Sequence, residues 1–236
     1  MKELFFESID STNTYLKNHY EELEDFTFVR ADLQTAGKGR NGRKWLANKG
    51  ENLMFSLLIK DKKLIEKFRQ LSVQSAYLVL KTLQKYGLKD LSIKWPNDVY
   101  VKDRKICGIL LEAISRQEIE CLIIGIGINV NQSEFNGEYL IEPTSIKKEL
   151  GKDIDLIELK DLLFESLSSE LGYDHYDQIK KYDYLKGKTV SGEINREIKT
   201  ITVIGIDKDY SLRVIADGKE TRLQSGEISF HIQGGL

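Results

Sequence analysis

Histidine and cysteine are scarce, with three of the first and two of the second in 236 residues. Cys107 and Cys121 stand in the apolar runs Lys105-Ile-Cys-Gly-Ile-Leu-Leu and Glu120-Cys-Leu-Ile-Ile, with no CxxC and no histidine at metal spacing. That excludes a zinc module and a disulfide framework, and reads as two small buried hydrophobes in a reducing, cytoplasmic setting. His19, His175 and His231 stand apart from any triad pattern and are expected to be surface or structural residues. Net charge is also small, −2, unlike a protein held mainly to phosphate backbones. No apolar run approaches the roughly 20 residues that span a bilayer. Acidic residues interrupt the first ten positions, where a signal peptide would carry an unbroken apolar core. Repeats, low-complexity tracts and Pro/Ser-rich linkers are absent, and there are only two prolines.

What remains is an ordinary globular composition, 41% hydrophobic and 31% charged, long enough for one sizeable core and a small appended module. Ser11-Thr12 reads as a helix start ahead of Tyr15-Leu16. Strands are expected at Phe26–Leu33 and Asn52–Ile59, a glycine-rich basic loop over 35–50, and a helix from about Leu64 to Tyr86 that stops at Gly87. Leu91–Trp95, Val99–Lys102 and Lys105–Ala113 read as strands, the last two as a hairpin turning at Asp103-Arg104. Glu120–Val130 is a further strand, and helical periodicity runs from about Leu156 to Tyr182. Beyond Leu185 come short β-rich runs (Thr189–Ile194, Thr200–Ile206, Leu212–Ala216, Glu220–Leu223, Glu227–Ile232) that suggest a small antiparallel barrel. The reading is α+β, with residues 1–185 as one domain and 186–236 as a second.

Four segments carry candidate chemistry. Gly37-Lys-Gly-Arg-Asn-Gly42 matches GxGxxG, but Arg43-Lys44-Trp45 and more loop follow it instead of a helix, and no kinase HRD or DFG accompanies it. Its glycines allow a close backbone approach to an anion, while Lys38, Arg40, Arg43 and Lys44 supply charge and Trp45 a stacking face. A solvated basic loop or a nucleic-acid loop has the same composition. Lys94-Trp-Pro-Asn-Asp98 ends a strand at a proline and offers Asp98 as an oxygen ligand for Mg²⁺, or simply a strand-ending turn. Arg104-Lys105-Ile-Cys-Gly108-Ile-Leu-Leu-Glu112 sets a lysine at the head of an apolar strand, with Gly108 leaving room beside it; a surface lysine at a hairpin fits as well. Gly125-Ile-Gly127-Ile-Asn129 puts two glycines inside a strand, pointing to close approach by a ligand or backbone, or to a bulge. An amide such as Asn129 can read an adenine edge.

In order along the chain, Ser11-Thr-Asn13, Gln34-Thr-Ala-Gly37-Lys38-Gly39-Arg40-Asn-Gly-Arg43-Lys-Trp45, Lys94-Trp-Pro-Asn-Asp98, Lys105-Ile-Cys-Gly-Ile-Leu and Gly125-Ile-Gly-Ile-Asn129 closely resemble the successive signatures of biotin–protein ligases. Pro143-Thr-Ser-Ile146 and Gly226-Glu-Ile-Ser229 extend the resemblance over essentially the whole chain. It implies a mixed-sheet catalytic core related to class II aminoacyl-tRNA synthetases, with a small C-terminal β-barrel. It also implies biotin as substrate, ATP and Mg²⁺, and a biotin carboxyl carrier protein as acceptor.

By the same resemblance, Ser11, Thr12 and Gln34 would bond the ureido ring with Asn13 in support, and Gly37, Lys38, Gly39, Arg40, Lys105 and Gly108 would complete the biotin site. Arg40, Arg43, Trp45, Lys105, Gly127 and Asn129 would hold ATP or the adenylate, and Asp98 would hold the metal. Lys105 and Arg40 would be the catalytic pair. The pattern departs from the family at Lys38 and Asn41, where arginine is frequent. The Ser-Thr-Asn segment begins at residue 11, so no DNA-binding domain and no transcriptional role are expected; a homodimer is compatible. The sister reading is a lipoate or octanoate ligase on the same fold, and a nucleic-acid-binding module is the reading from another class.

Overall fold

A computed structural model describes residues 2–194, 197–226 and 228–231. The first strand, β1 (Lys2–Phe6), is followed by α1 (Thr12–His19), β2 (Thr27–Ala31) and β3 (Asn52–Ile59). Next come α2 (Lys62–Glu66), α3 (Phe68–Lys85), β4 (Leu91–Lys94), β5 (Asp98–Val101), β6 (Arg104–Ser115) and β7 (Ile119–Asn129). Three helices follow, α4 (Ile146–Leu150), α5 (Leu156–Glu170) and α6 (Tyr176–Ile179). The C-terminal strands are β8 (Thr189–Ile194), β9 (Glu197–Ile206), β10 (Leu212–Ala216), β11 (Lys219–Leu223) and β12 (Ile228–His231).

Seven strands form one sheet in the order β1-β2-β3-β7-β6-β5-β4. Only the β1–β2 pair is parallel, so the sheet is mixed, as expected. Its interior strand β3, NLMFSLLI, is buried at every position because both faces are covered. One face packs on α3 and α5, where Phe28, Phe55 and Phe164 meet with the Phe28 and Phe164 rings stacked at 3.8 Å. The other face packs on α1, where Leu16 lies against Val29, Leu58, Cys121 and Ile123. The two free cysteines therefore sit on opposite faces of the sheet, each buried, and burial pushes both thiols well above their ordinary range.

The second sheet is antiparallel with the order β11-β10-β9-β8-β12. Its interior residues Ile201, Val203, Leu212 and Val214 join the core of the first sheet. The expected last strand began at Glu227 and ended at Ile232, and both of those residues lie outside the described ones, as does Glu227 of the Gly226-Glu-Ile-Ser229 motif.

Local departures from the sequence reading have physical causes. The helix expected from Leu64 is two, α2 and α3, separated at Lys67 (φ −94°, ψ 13°). The periodicity over 156–182 is likewise broken, since α5 ends before Gly172, whose φ of +88° is the left-handed region. A Cβ at Gly172 would also meet Leu64 Cδ2 at 2.3 Å. The hairpin turns at Lys102-Asp103 instead of Asp103-Arg104, with Lys102 at φ +55° and Val101 paired to Arg104. β1 and α4 had no reading in the sequence. β1 is short and half-exposed, and gains its place from the ladder with β2.

Phe164→Ala is expected to cost about 3–5 kcal/mol by emptying the aromatic cluster. Urea unfolding followed by circular dichroism checks this, and a loss under 1 kcal/mol would mean the three rings are not the keystone of the α5 face.

Candidate active site

The face of the sheet that packs on α1 changes character along its strands. Beyond Leu58 and Ile123 come Ser56 opposite Gly125, then Met54 opposite Gly127, with Gly108 of β6 opposite Gly127 on the other side. Three glycines and a serine thus leave a floor nearly bare of side chains. Above it lies a cavity of about 510 Å³, walled by the start of α1, Gln34, the loop 38–46, the β4–β5 turn, Lys105 and the segment 135–143. Each glycine answers to a particular neighbour. A Cβ at Gly125 would stand 2.2 Å from Asn13 Oδ1, one at Gly127 would stand 2.5 Å from the Trp45 indole, and one at Gly108 would stand 3.0 Å from both Lys105 Nζ and Trp45. The strand glycines make room for protein side chains that reach into the cavity.

At one end of the cavity is a buried polar cluster. Ser11 caps α1, its hydroxyl accepting from Thr14 N. Gln34 Oε1 accepts from Thr12 N at 2.8 Å and from Thr12 Oγ1 at 3.1 Å. Thr12 Oγ1 also lies 2.6 Å from Ser56 Oγ, a contact that either hydroxyl serves only by turning its one proton from its amide partner. Ser56 Oγ donates to Asn13 Oδ1, and Asn13 Nδ2 donates to Glu112 Oε2 at 2.7 Å. Five side chains from four elements fix one another, so Thr12 and Gln34 face the cavity in set orientations.

At the other end four cations gather about one carboxylate. Lys105 Nζ lies 2.8 Å from Asp98 Oδ1, and Arg40 Nη1 donates to Asn97 Oδ1 at 3.0 Å. Asn97 is held in turn by Nδ2 donating to Ile109 O at 2.7 Å. Arg43 and Lys94 complete the group. Burial, opposed by Asp98, pulls the Arg40 guanidinium below the usual arginine range. Burial pulls the Lys94 ammonium down to about 8, with Asp98 opposing and Lys105, Arg43 and Arg40 adding to the effect. Cations gathered this closely give that end of the cavity a positive character.

The glycine-rich segment is a small hairpin folded over the cavity. Trp45 N donates to Gly37 O at 2.9 Å and Gly39 N to Arg43 O at 2.7 Å. Its tip is a single 3-10 turn, Arg40–Gly42, with Asn41 at φ +55°. Lys105 is set at the cavity mouth by pairing β6 with Pro143, Lys105 N donating to Glu142 O and Thr144 N to Lys105 O.

Of the residues singled out from sequence, Ser11, Thr12, Asn13, Gln34, Lys38, Gly39, Arg40, Arg43, Trp45, Asp98, Lys105, Gly108, Gly127 and Asn129 all line this one cavity. Gly37 stands a layer behind it, where a Cβ would meet Trp45 O at 2.6 Å. Asn129 lies under the floor's far end with Nδ2 committed to Thr144 O at 2.9 Å, so one of its amide donors is already used. His19 pairs with Glu22, and His175 Nε2 lies 3.1 Å from Glu170 O, both remote from the cavity; the His231 side chain is outside the described residues.

The reading from sequence missed Ser56, Glu112, Lys94, Asn97 and Ile228 as site residues. Ser56 carried a signal, being the one hydroxyl in a wholly apolar strand. Glu112, Lys94 and Asn97 lay within motifs already noted. Ile228 comes from the second sheet and lay within the Gly226-Glu-Ile-Ser229 motif, which carried no site role of its own. Among the described residues no three His, Cys, Asp or Glu side chains gather as a metal cage, so any cation here would lean on Asp98 and on its own ligand's oxygens.

A model of the biotin/lipoate A/B protein ligase family matches residues 5–129. The bifunctional ligase/repressor BirA of Escherichia coli K12 is 31% identical over 231 residues, covering 94% of this chain and 71% of that protein. The biotin–[acetyl-CoA-carboxylase] ligase of Paracoccus denitrificans is 33% identical over 163 residues, 65% of this chain and 66% of that one. Among solved structures, the biotin protein ligase of Aquifex aeolicus in complex with biotin and ATP superposes with a TM-score of 0.85 at 29% identity, covering 98% of each chain. The chain that builds this two-ended cavity is thus matched in sequence and in fold along most of its length, and it belongs to the biotin/lipoate A/B protein ligase family.

Proposed function

We propose that this chain is an ATP-dependent biotin–protein ligase, which joins biotin to AMP with release of pyrophosphate and then passes the biotinyl group to a lysine of a biotin carboxyl carrier protein. The observation that carries the reading is the two-ended cavity: Thr12 and Gln34 set rigidly at one end, and Arg40, Arg43, Lys94 and Lys105 around Asp98 at the other. A planar urea can exchange hydrogen bonds with the Thr12 and Gln34 side chains that face the cavity, while a dithiolane or an alkyl chain offers them none. Such a mismatch is worth about 10⁴-fold or more in selectivity.

In this reading the biotin carboxylate attacks the α-phosphorus, the bond to the bridging oxygen breaks, and pyrophosphate leaves. The step requires no covalent nucleophile from the enzyme. Lys105 would hold carboxylate and α-phosphate together, leaving its ion pair with Asp98 to do so. Arg40 and Arg43 would neutralise charge growing on the phosphates, and Trp45, with Gly127 and Asn129 beneath, would support the adenine. Asp98 suits Mg²⁺, which favours one or two carboxylates beside phosphate oxygens; bound there, the ion would screen phosphate charge. Ser11, Asn13, Gly39 and Gly108 would shape the biotin end, and Lys38 would cover it. Gly37 would serve by letting the loop pair with itself. In the second step the carrier lysine, as a neutral amine, attacks the acyl carbon and AMP departs.

The strands of the first sheet end at Asn129, with single bridges added at Pro143 and Asp183, and those of the second begin at Thr189, which supports a catalytic unit of residues 1–185 and a C-terminal unit of 186–236. Two free buried cysteines support a reducing compartment such as the cytoplasm. No described helix is long and apolar enough to cross a membrane.

Biotin-dependent pyrophosphate release, run beside lipoate and octanoate and followed by label transfer to a carrier domain, tests the reading; release with lipoate alone would move the chain to the sister activity. Lys105→Ala is expected to lower that release by on the order of 10²–10³-fold, as for loss of one preorganised donor, and a near-normal rate would remove Lys105 from the chemistry. Arg40→Gly is expected to free the loop from Asn97 and let adenylate escape. Mass spectrometry should then find biotin on unintended lysines of a bystander protein, and labelling confined to the carrier would contradict the role given to Arg40.

A further inference from the structure

The β4–β5 arm that delivers Lys94, Asn97 and Asp98 is the outer edge of the first sheet, and the C-terminal part of the chain is fastened to it. Ile93 N donates to Tyr182 O at 2.7 Å and Tyr184 N donates to Ile93 O at 3.0 Å, so residues 182–184 add a short bridge along β4. Asp183, between them, accepts from Ile206 N at 2.9 Å and Leu185 N at 3.0 Å, tying β9 to the same bridge. The next contact is the indole of Trp95, 2% exposed, whose Nε1–H donates to Tyr210 O at 2.9 Å across 115 positions of sequence. Tyr210 is itself clamped, its hydroxyl donating to Asp174 Oδ1 at 3.0 Å and accepting from His175 N at 3.1 Å. Ile228 of β12 closes the arrangement by lining the cavity. The hydroxyl and amide bonds of the Thr12–Gln34 end, by contrast, run to Ser56, Leu110 and Glu112 of the first sheet.

We propose that Trp95 is a positioning residue that makes the C-terminal sheet the support of the polyanion end of the cavity, holding Lys94, Asn97 and Asp98 in register while leaving the biotin end untouched. An edge arm of four-residue strands has few ladder bonds of its own. A buried indole N–H joined to a clamped carbonyl supplies the missing restraint, and neither group can be released without leaving a buried polar atom unpaired. A misplacement of about 1 Å at reacting groups costs on the order of 10²-fold, so the link acts on the nucleotide step. The inference rests on the adenylation reading for its kinetic form.

Trp95→Phe keeps most of the buried apolar volume and removes the N–H. Biotin affinity, by calorimetry, is expected within about twofold of wild type, while kcat/KM for MgATP in pyrophosphate release falls on the order of ten- to a hundredfold. Tyr210→Phe loosens the accepting carbonyl from the far side, away from the cavity, and should give the same split more weakly. It decides by the same criterion if Trp95→Phe does not fold. Amide hydrogen exchange in β5 and in 182–185 should quicken in both variants. A structural role alone would lower biotin affinity and nucleotide efficiency by one common factor, and that result, or an unchanged nucleotide efficiency in folded variants, overturns the proposal. Wild type that releases no pyrophosphate with biotin would overturn the adenylation reading instead. Exchange in β5 would then decide alone whether Trp95 couples the two sheets.

Discussion

Everything in the site depends on a patch of sheet that carries almost no side chains. Ser56, Gly108, Gly125 and Gly127 lie as neighbours across β3, β7 and β6, on a face that a few residues away is ordinary core against α1. Glycine in a strand interior weakens it, so the patch is a cost borne by the long β6–β7 and β3–β7 ladders and by the apolar layer on the opposite face. In exchange, Asn13 and Trp45 can descend where no Cβ would admit them. The patch therefore serves the substrate indirectly, by admitting the side chains that define both ends of the cavity.

Once that floor exists, the two ends are organised by opposite physics. The Thr12–Gln34 end is neutral and closed on itself, each hydroxyl and amide using another, and its orientation comes from hydrogen-bond satisfaction in a buried place. The cationic end is organised by charge. Lys94, Lys105, Arg40 and Arg43 gather about one carboxylate, and burial depresses Lys94 to about 8. Like charges held this close favour an anionic ligand that lies among them. A specific neutral head and an attractive charged tail together explain how one small cavity can bring a weak nucleophile, a carboxylate, onto a phosphorus.

Much of this was legible in the sequence, for physical reasons that differ by residue. The motifs around Thr12, Gln34, Arg40, Asp98 and Lys105 name their chemistry because glycine, charge and amide residues are improbable in those strands and loops unless something requires them. Strand β3 and the hairpin β5–β6 follow from period and turn residues. Long-range partnerships were not legible. Ser56 had no reading of its own in the sequence, yet Thr12 lies 2.6 Å from it, and Glu112 was only the end of a motif, yet it holds Asn13. The glycines at 125 and 127 suggested a close approach, but only coordinates reveal that Asn13 and Trp45 make it. β1 escaped notice because a five-residue edge strand has no periodicity to separate it from a tail.

The same distinction between local and distant determinants explains the division of labour in the chain. Both ends of the cavity use residues from the first sheet, yet they differ in what keeps them there. The Thr12–Gln34 end is anchored on the interior strands β3, β6 and β7, which have neighbours on both sides and helices on one or both faces. The cationic end draws Lys94, Asn97 and Asp98 from β4, β5 and the turn between them at the sheet margin, where β4 has a strand neighbour on one side only. A margin can be stiffened only by something laid along it. Residues 182–184 and Tyr210 are what this fold lays there, which gives a small sheet with one residue in the cavity a reason to accompany the catalytic core.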